Sequence, residues 1–86
     1  MNVNERVLAY KNEMIETLAK LVSYNSELDT SDSAYPFGKA NADCLKAALE
    51  ICAASGMKTV NLDNYIGYGE LGEGEKLIGV IGHLDI

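Results

Sequence analysis

Apolar positions recur at helical spacing over residues 4 to 23. Val7, Met14, Leu18 and Leu21 form one stripe with Leu8, Ile15 and Val22 beside it, while Lys11, Glu13, Glu16 and Lys20 take the other side. Glu16 and Lys20 make a favourable i,i+4 pair. This pattern predicts a surface helix docked by its apolar stripe, and a polar face that is not basic does not suit a membrane surface. The rhythm stops at residues 24 to 36, where Asn, Ser, Asp and Thr dominate up to the only proline, Pro36. That stretch reads as a long loop, of a length that is often functional or mobile but serves equally as a solvated connection. Helical spacing returns over 39 to 55, with Leu45, Ala48, Leu49 and Cys52 as the buried stripe and Ala47, Ala53 and Ala54 raising helix propensity. Gly56 fits the left-handed residue that closes such a helix.

The period then changes. Residues 57 to 62 alternate loosely, with Val60 and Leu62 on one face, and Asp63-Asn64 is turn chemistry. Residues 65 to 71 form a second predicted strand, interrupted by Gly67 and Gly69. Gly72-Glu73-Gly74-Glu75 then reads as the turn of an antiparallel hairpin. Residues 76 to 82, Lys-Leu-Ile-Gly-Val-Ile-Gly, are apolar on both faces, as in a central strand covered on two sides. Two helices followed by three strands predict an α/β layered fold. There are no internal repeats.

Composition narrows the function classes. A chain of 86 residues allows one small domain, which buries only roughly 60% of its unfolded surface and so has a marginal core. Seven basic against thirteen acidic side chains, a net charge of −6, exclude a phosphate-binding surface for nucleic acid and disfavour anionic membranes. The N-terminus lacks the basic and apolar regions of a secretory signal, and the longest apolar run is far too short to span a bilayer. Cys44 and Cys52 on one helix lie about 12 Å apart, too far for a disulfide. Two reduced, mostly buried thiols suit the cytoplasm.

The informative place is the end of the apolar run, Gly82-His83-Leu84-Asp85-Ile86. Ligand sites in open α/β sheets lie at the C-terminal ends of strands. Side chains two apart on a strand face the same way, so His83 and Asp85 would share one crevice with Leu84 turned into the core. A metal-bound imidazole commonly donates its second N–H to a carboxylate, which fixes its tautomer and orientation. A hydrogen-bonded surface histidine is the competing explanation, and the apolar strand makes the two about equal. Glu70, Glu73 and Glu75 flank glycines in a predicted turn and read as solvated charge. Gly67-x-Gly69-x-x-Gly72 matches a dinucleotide fingerprint in letters only, because no helix follows it.

Longer segments add a resemblance. Pro36-Phe37-Gly38-Lys39, Ala54-Ser55-Gly56-Met57, Asn61-x-Asp63-Asn64-Tyr65-x-Gly67 and Leu77-Ile78-Gly79-Val80-Ile81-Gly82-His83-Leu84-Asp85 together resemble the N-terminal part of the zinc dipeptidases related to bacterial dipeptidase V. These belong with the aminoacylases, carboxypeptidase G and carnosinases. The resemblance covers nearly the whole chain. It implies a two-domain parent several times longer, which hydrolyses short peptides with two zinc ions, a bridging carboxylate and a water-activating glutamate. It implies His83 as a ligand of one zinc, and Asp85 as the carboxylate that orients it and is counted with the active site. The family's bridging aspartate, Glu-Glu pair and later ligands have no counterpart before Ile86. One histidine and one carboxylate cannot hold catalytic zinc tightly, because such sites normally take three protein ligands.

The expectation is therefore that residues 1 to 86 are the N-terminal portion of a dipeptidase-like catalytic domain, inactive alone and poorly soluble. Two other readings stand beside it. One is a non-catalytic αβ interaction module that keeps the peptidase scaffold and pairs, as a homo-oligomer or with a partner, through exposed sheet edges. The other is a metal-binding domain using His83 and Asp85 with a second copy of the chain.

Overall fold

The computed structural model of the protein describes residues 2–86. Its elements are α1 (Val3–Ala9), α2 (Lys11–Val22), α3 (Lys39–Ala54), β1 (Lys58–Leu62) and β2 (Ile66–Glu70). The one helix expected over 4 to 23 is two. Asn2 caps α1, its side-chain oxygen accepting from the Glu5 N–H at 2.9 Å. At Tyr10 the backbone moves to φ −94°, ψ 2°, and the Tyr10 N–H donates to the Val7 carbonyl at 3.1 Å, a tighter turn than the α-helical one. Neither glycine nor proline marks this break, so the hydrophobic period runs through it unaltered. The expected docking is partial as well. No residue of α1 or α2 is buried, and Met14, Ile15, Leu18 and Val22 are exposed. Leu21 is half-buried.

Helix α3 carries the core. Its expected stripe of Leu45, Ala48, Leu49 and Cys52 is half-buried, whereas Ala42, Cys44 and Ala47 are fully buried. The shift has a simple cause: α3 is covered on two sides, by α2 and by the sheet. The Cys44 Sγ faces the Leu21 carbonyl at 3.8 Å, a weak S–H donor bond. The helix closes as predicted at Gly56, with φ 90°. The Gly56 N–H donates to Ala53 O at 3.0 Å and the Met57 N–H to Cys52 O at 3.1 Å, the bond pair of a Schellman motif.

Strands β1 and β2 are antiparallel, in register from Lys58 opposite Glu70 to Leu62 opposite Ile66. Their turn is the Asp63-Asn64 pair, both left-handed with φ 54° and 63°. The Tyr65 N–H closes it on Leu62 O at 3.0 Å, and Asn61 Oδ1 accepts from the Asn64 N–H at 2.8 Å. Gly67 lets the sheet approach α3. A Cβ there would stand 3.0 Å from both Leu45 Cδ1 and Leu49 Cδ1. Close packing thus accounts for a glycine at Gly67 without any phosphate to cradle.

The third strand, expected over 76 to 82, is not formed, and neither is its hairpin with 65 to 71. The hairpin lies one connection earlier, and Leu77, Ile78, Val80 and Ile81 stand exposed, Ile81 at 98%. A strand apolar on both faces needs neighbours along both edges and layers over both faces, and the described residues provide none. The Cα radius of gyration is 15.0 Å, against ~12 Å for a compact domain of this length. The fold class is mixed helix and strand, as expected, but with three helices and two strands among the described residues.

Candidate functional site

The loop after α2 is built from its own hydrogen bonds. Asp29 Oδ1 accepts from the Ser31 N–H and Asp32 Oδ1 from the Ala34 N–H, both at 2.9 Å. These are the short-range side-chain turns that favour Asp in loops. Hydrogen bonding from Ser31, side chain first and backbone second, holds the Asp29 carboxyl below its ordinary range. At the base of the loop the Asp29 N–H donates to Phe37 O at 3.0 Å. Asn41, in the first turn of α3, ties both ends: its Nδ2 donates to Glu27 O and to Phe37 O, each at 2.8 Å. Gly38 has φ 107°, and a Cβ on it would meet the Asp29 Cβ at 2.9 Å. Glycine is required there on both counts.

Inside this tied loop sits Ser26, only 2% exposed. Its Oγ donates to Leu84 O at 2.9 Å, and its own carbonyl accepts from the Ile86 N–H at 3.2 Å. The segment that carries the sequence-predicted site is therefore held by residues some sixty positions earlier. Leu84 is half-buried. His83 and Asp85 project outward on either side of it, 84% and 67% exposed at their side chains. They meet: His83 Nδ1 lies 3.1 Å from Asp85 Oδ1 and 3.0 Å from the Asp85 carbonyl oxygen. Both contacts are acceptors, so Nδ1 carries the proton and the Nε2 lone pair points away from the carboxylate. The pair thus forms on an exposed segment outside any helix or strand, not at the mouth of a paired strand.

This donor set fits one ligand's share of a zinc site. An imidazole with Nε2 open and Nδ1–H on a carboxylate is the usual form of a histidine ligand. Among the described residues no three His, Cys, Asp or Glu side chains come together as a complete metal site. Glu70 and Glu73 line an open depression with Lys58 and Lys76, away from the loop around Ser26. Cys44 and Cys52 are free, and burial pushes the Cys44 thiol pKa up. Among the described residues no helix is long and apolar enough to cross a membrane.

The motif segments singled out by resemblance also meet. The rings of Phe37 and Tyr65 stand edge to face, with centroids 5.5 Å apart and planes at 90°. This joins Pro36-Phe37-Gly38-Lys39 to Asp63-Asn64-Tyr65-x-Gly67. Sequence reasoning missed Ser26 and Asn41. The available signal at Asn41 was a poor helix former placed in a first helical turn; Ser26 had none among the many Ser and Asp of its loop.

Comparison with known proteins agrees with the resemblance. The chain is 32% identical over 88 aligned residues to the Beta-Ala-Xaa dipeptidase of Lactobacillus delbrueckii subsp. lactis, covering all of this chain and 19% of that protein. It is 34% identical over the same length to YtjP of Bacillus subtilis (strain 168), which bears a provisional dipeptidase name, again covering all of this chain and 19% of the relative. A provisionally named dipeptidase of Staphylococcus epidermidis is 33% identical over 84 residues, 95% of this chain and 18% of its own. The chain therefore spans about a fifth of the length of the curated relatives it matches. No family profile matches the chain, and no solved structure does. Over its whole length the chain is similar in sequence to dipeptidases.

Proposed function

We propose that residues 1 to 86 are the N-terminal portion of the catalytic domain of a zinc-dependent dipeptidase, a cytoplasmic enzyme that hydrolyses short peptides. The observation that carries this reading is the His83–Asp85 pair, 3.1 Å apart with Nε2 open, in a chain similar throughout to dipeptidases. His83 Nε2 would bind one zinc. Asp85 would accept from Nδ1–H and hold the ring in one tautomer and orientation. Zinc bound there would polarise a peptide carbonyl and activate water. Three protein ligands are the norm for catalytic zinc. The other ligands would then come from outside these 86 residues, and the chain alone would be inactive.

The test has three arms. The reading frame beyond Ile86 is expected to encode an aspartate and a Glu-Glu pair. The protein it encodes is expected to cleave dipeptides with zinc, to lose that activity in His83→Ala, and to lose roughly 10–100-fold in zinc affinity in Asp85→Asn. The 86-residue chain is expected to show no turnover and no tight zinc binding by calorimetry. Turnover by the 86-residue chain that survives purification, or full activity in His83→Ala, overturns the reading.

A further inference from the structure

We infer that Ser26 is a positioning residue for the His83–Asp85 pair, which makes the loop between α2 and α3 part of the site; this rests on the function proposed above. His83 and Asp85 lie on a segment with no strand partner, and both side chains are mostly exposed. At the side chains themselves, only the His83 Nδ1 contacts with Asp85 Oδ1 at 3.1 Å and with the Asp85 carbonyl oxygen at 3.0 Å bear on their geometry. What fixes it is the backbone between and after them. The Ser26 hydroxyl donates to Leu84 O at 2.9 Å, and Ser26 O accepts from the Ile86 N–H at 3.2 Å. One buried residue thus holds the carbonyl between the pair and the amide just beyond it, a two-point clamp that sets both the height and the rotation of the segment.

The clamp is itself anchored. The Ser26 N–H donates to Tyr24 O at 2.9 Å, and Asn41 fastens the following residues to α3 through Glu27 O and Phe37 O. With the hydroxyl in place, Leu84 packs inward and the two flanking side chains project together, so that Nδ1 meets Oδ1. Without it only the backbone bond from the Ile86 N–H to Ser26 O remains, the chain turns about Leu84 ψ and Asp85 φ rather than about the planar peptide, carboxylate and imidazole separate, and the ring loses its fixed tautomer. Ser26 touches neither ring nor carboxylate; it acts on them only through the Leu84 and Ile86 backbone.

The test is ¹⁵N NMR of the His83 ring in the 86-residue chain, with the amide signals of Ala42, Cys44 and Ala47 as the control for α3. The native chain is expected to show the Nδ1–H tautomer, Ser26→Ala to lose that single-tautomer signature with the α3 amides unmoved, and Ser26→Thr, which keeps the hydroxyl, to restore it. In the longer parent protein, zinc affinity is expected to fall about tenfold in Ser26→Ala. A native signature in Ser26→Ala overturns the inference, and so does a folded Ser26→Thr that fails to restore it. If His83→Ala leaves the parent's activity intact, the proposed function fails instead. If His83→Ala abolishes activity while Ser26→Ala changes neither signature nor affinity, the function stands and the positioning role falls.

Discussion

Asn41→Ala tests whether the long loop is held from α3. The Asn41 amide donates to two carbonyls, Glu27 O and Phe37 O, each at 2.8 Å. A neutral hydrogen bond contributes about 0.5–1.5 kcal/mol net. Both carbonyls lie near solvent and can rehydrate when the amide is removed, so the pair is worth about 1–2 kcal/mol. Alanine also improves the helix by ~0.5 kcal/mol over asparagine. The net loss is then about 0.5–1.5 kcal/mol, which for a domain of this size lowers the unfolding midpoint by about 2–12 °C. Thermal unfolding by circular dichroism reads it, and amide exchange at Asp29, whose N–H donates to Phe37 O, locates it. Asn41→Asp makes the sharper comparison. It keeps the shape but turns two donors into acceptors facing two carbonyls, so at pH 7 it is expected to cost more than alanine despite a favourable helix N-terminus. Its folded pKa would be raised, so that extra cost fades as the pH falls and the carboxyl protonates. An Asn41→Asp variant as stable as Asn41→Ala or more stable at pH 7, with Asp29 exchange unchanged in both, refutes the tie.

Other outcomes follow from the same packing. Gly67→Val is expected to cost about 1–3 kcal/mol in chemical denaturation, because its branched carbon lands on Leu45 and Leu49, already 3.0 Å from a Cβ at that site; an unchanged midpoint would mean the sheet does not rest on α3. Iodoacetamide is expected to modify half-buried Cys52 before buried Cys44, since the thiolate is the reacting form, and mass mapping that finds equal rates contradicts the burial. Because the Cys44 pKa is raised above 9.0, its contribution to stability is full below that pH and is lost as pH rises through the folded value; a denaturation series from pH 8 to 11 checks the sign. Ile78→Lys with Ile81→Lys, at 93% and 98% exposed positions, is expected to raise the soluble fraction while moving stability by no more than ~0.5 kcal/mol; a cooperative loss of stability would show that the segment packs.

What could be read from the sequence was whatever is decided locally. Gly56 closes α3 because a left-handed cap needs no distant partner, and Asp63-Asn64 turns the chain because both residues tolerate positive φ. That His83 and Asp85 stand close enough to meet is local too, because they are two residues apart; what holds them together is not. Apart from the break at Tyr10, the failures are cases where a distant partner decides. Residues 76 to 82 have the composition of a central strand, but a strand exists only when neighbouring backbones pair with it, and the described residues supply none. The stripe of α2 promises burial that needs a covering layer, and Met14, Ile15, Leu18 and Val22 lack one.

Ser26 is the instructive case of the same limit. Its importance comes wholly from a contact 58 residues away in the chain, and a serine among serines carries no local mark of it. The physical consequence is a division of labour within the site. The groups with chemistry, His83 and Asp85, are exposed and can be recognised by type, while the groups that aim them, Ser26 and Asn41, are recognised only by what they touch. An exposed imidazole without such aim would sample both tautomers and many rotamers, and a metal would have to order it on binding. In the proposed site the buried hydroxyl would order it beforehand, and ligand geometry would depend on a loop that composition alone gives every reason to treat as a connection.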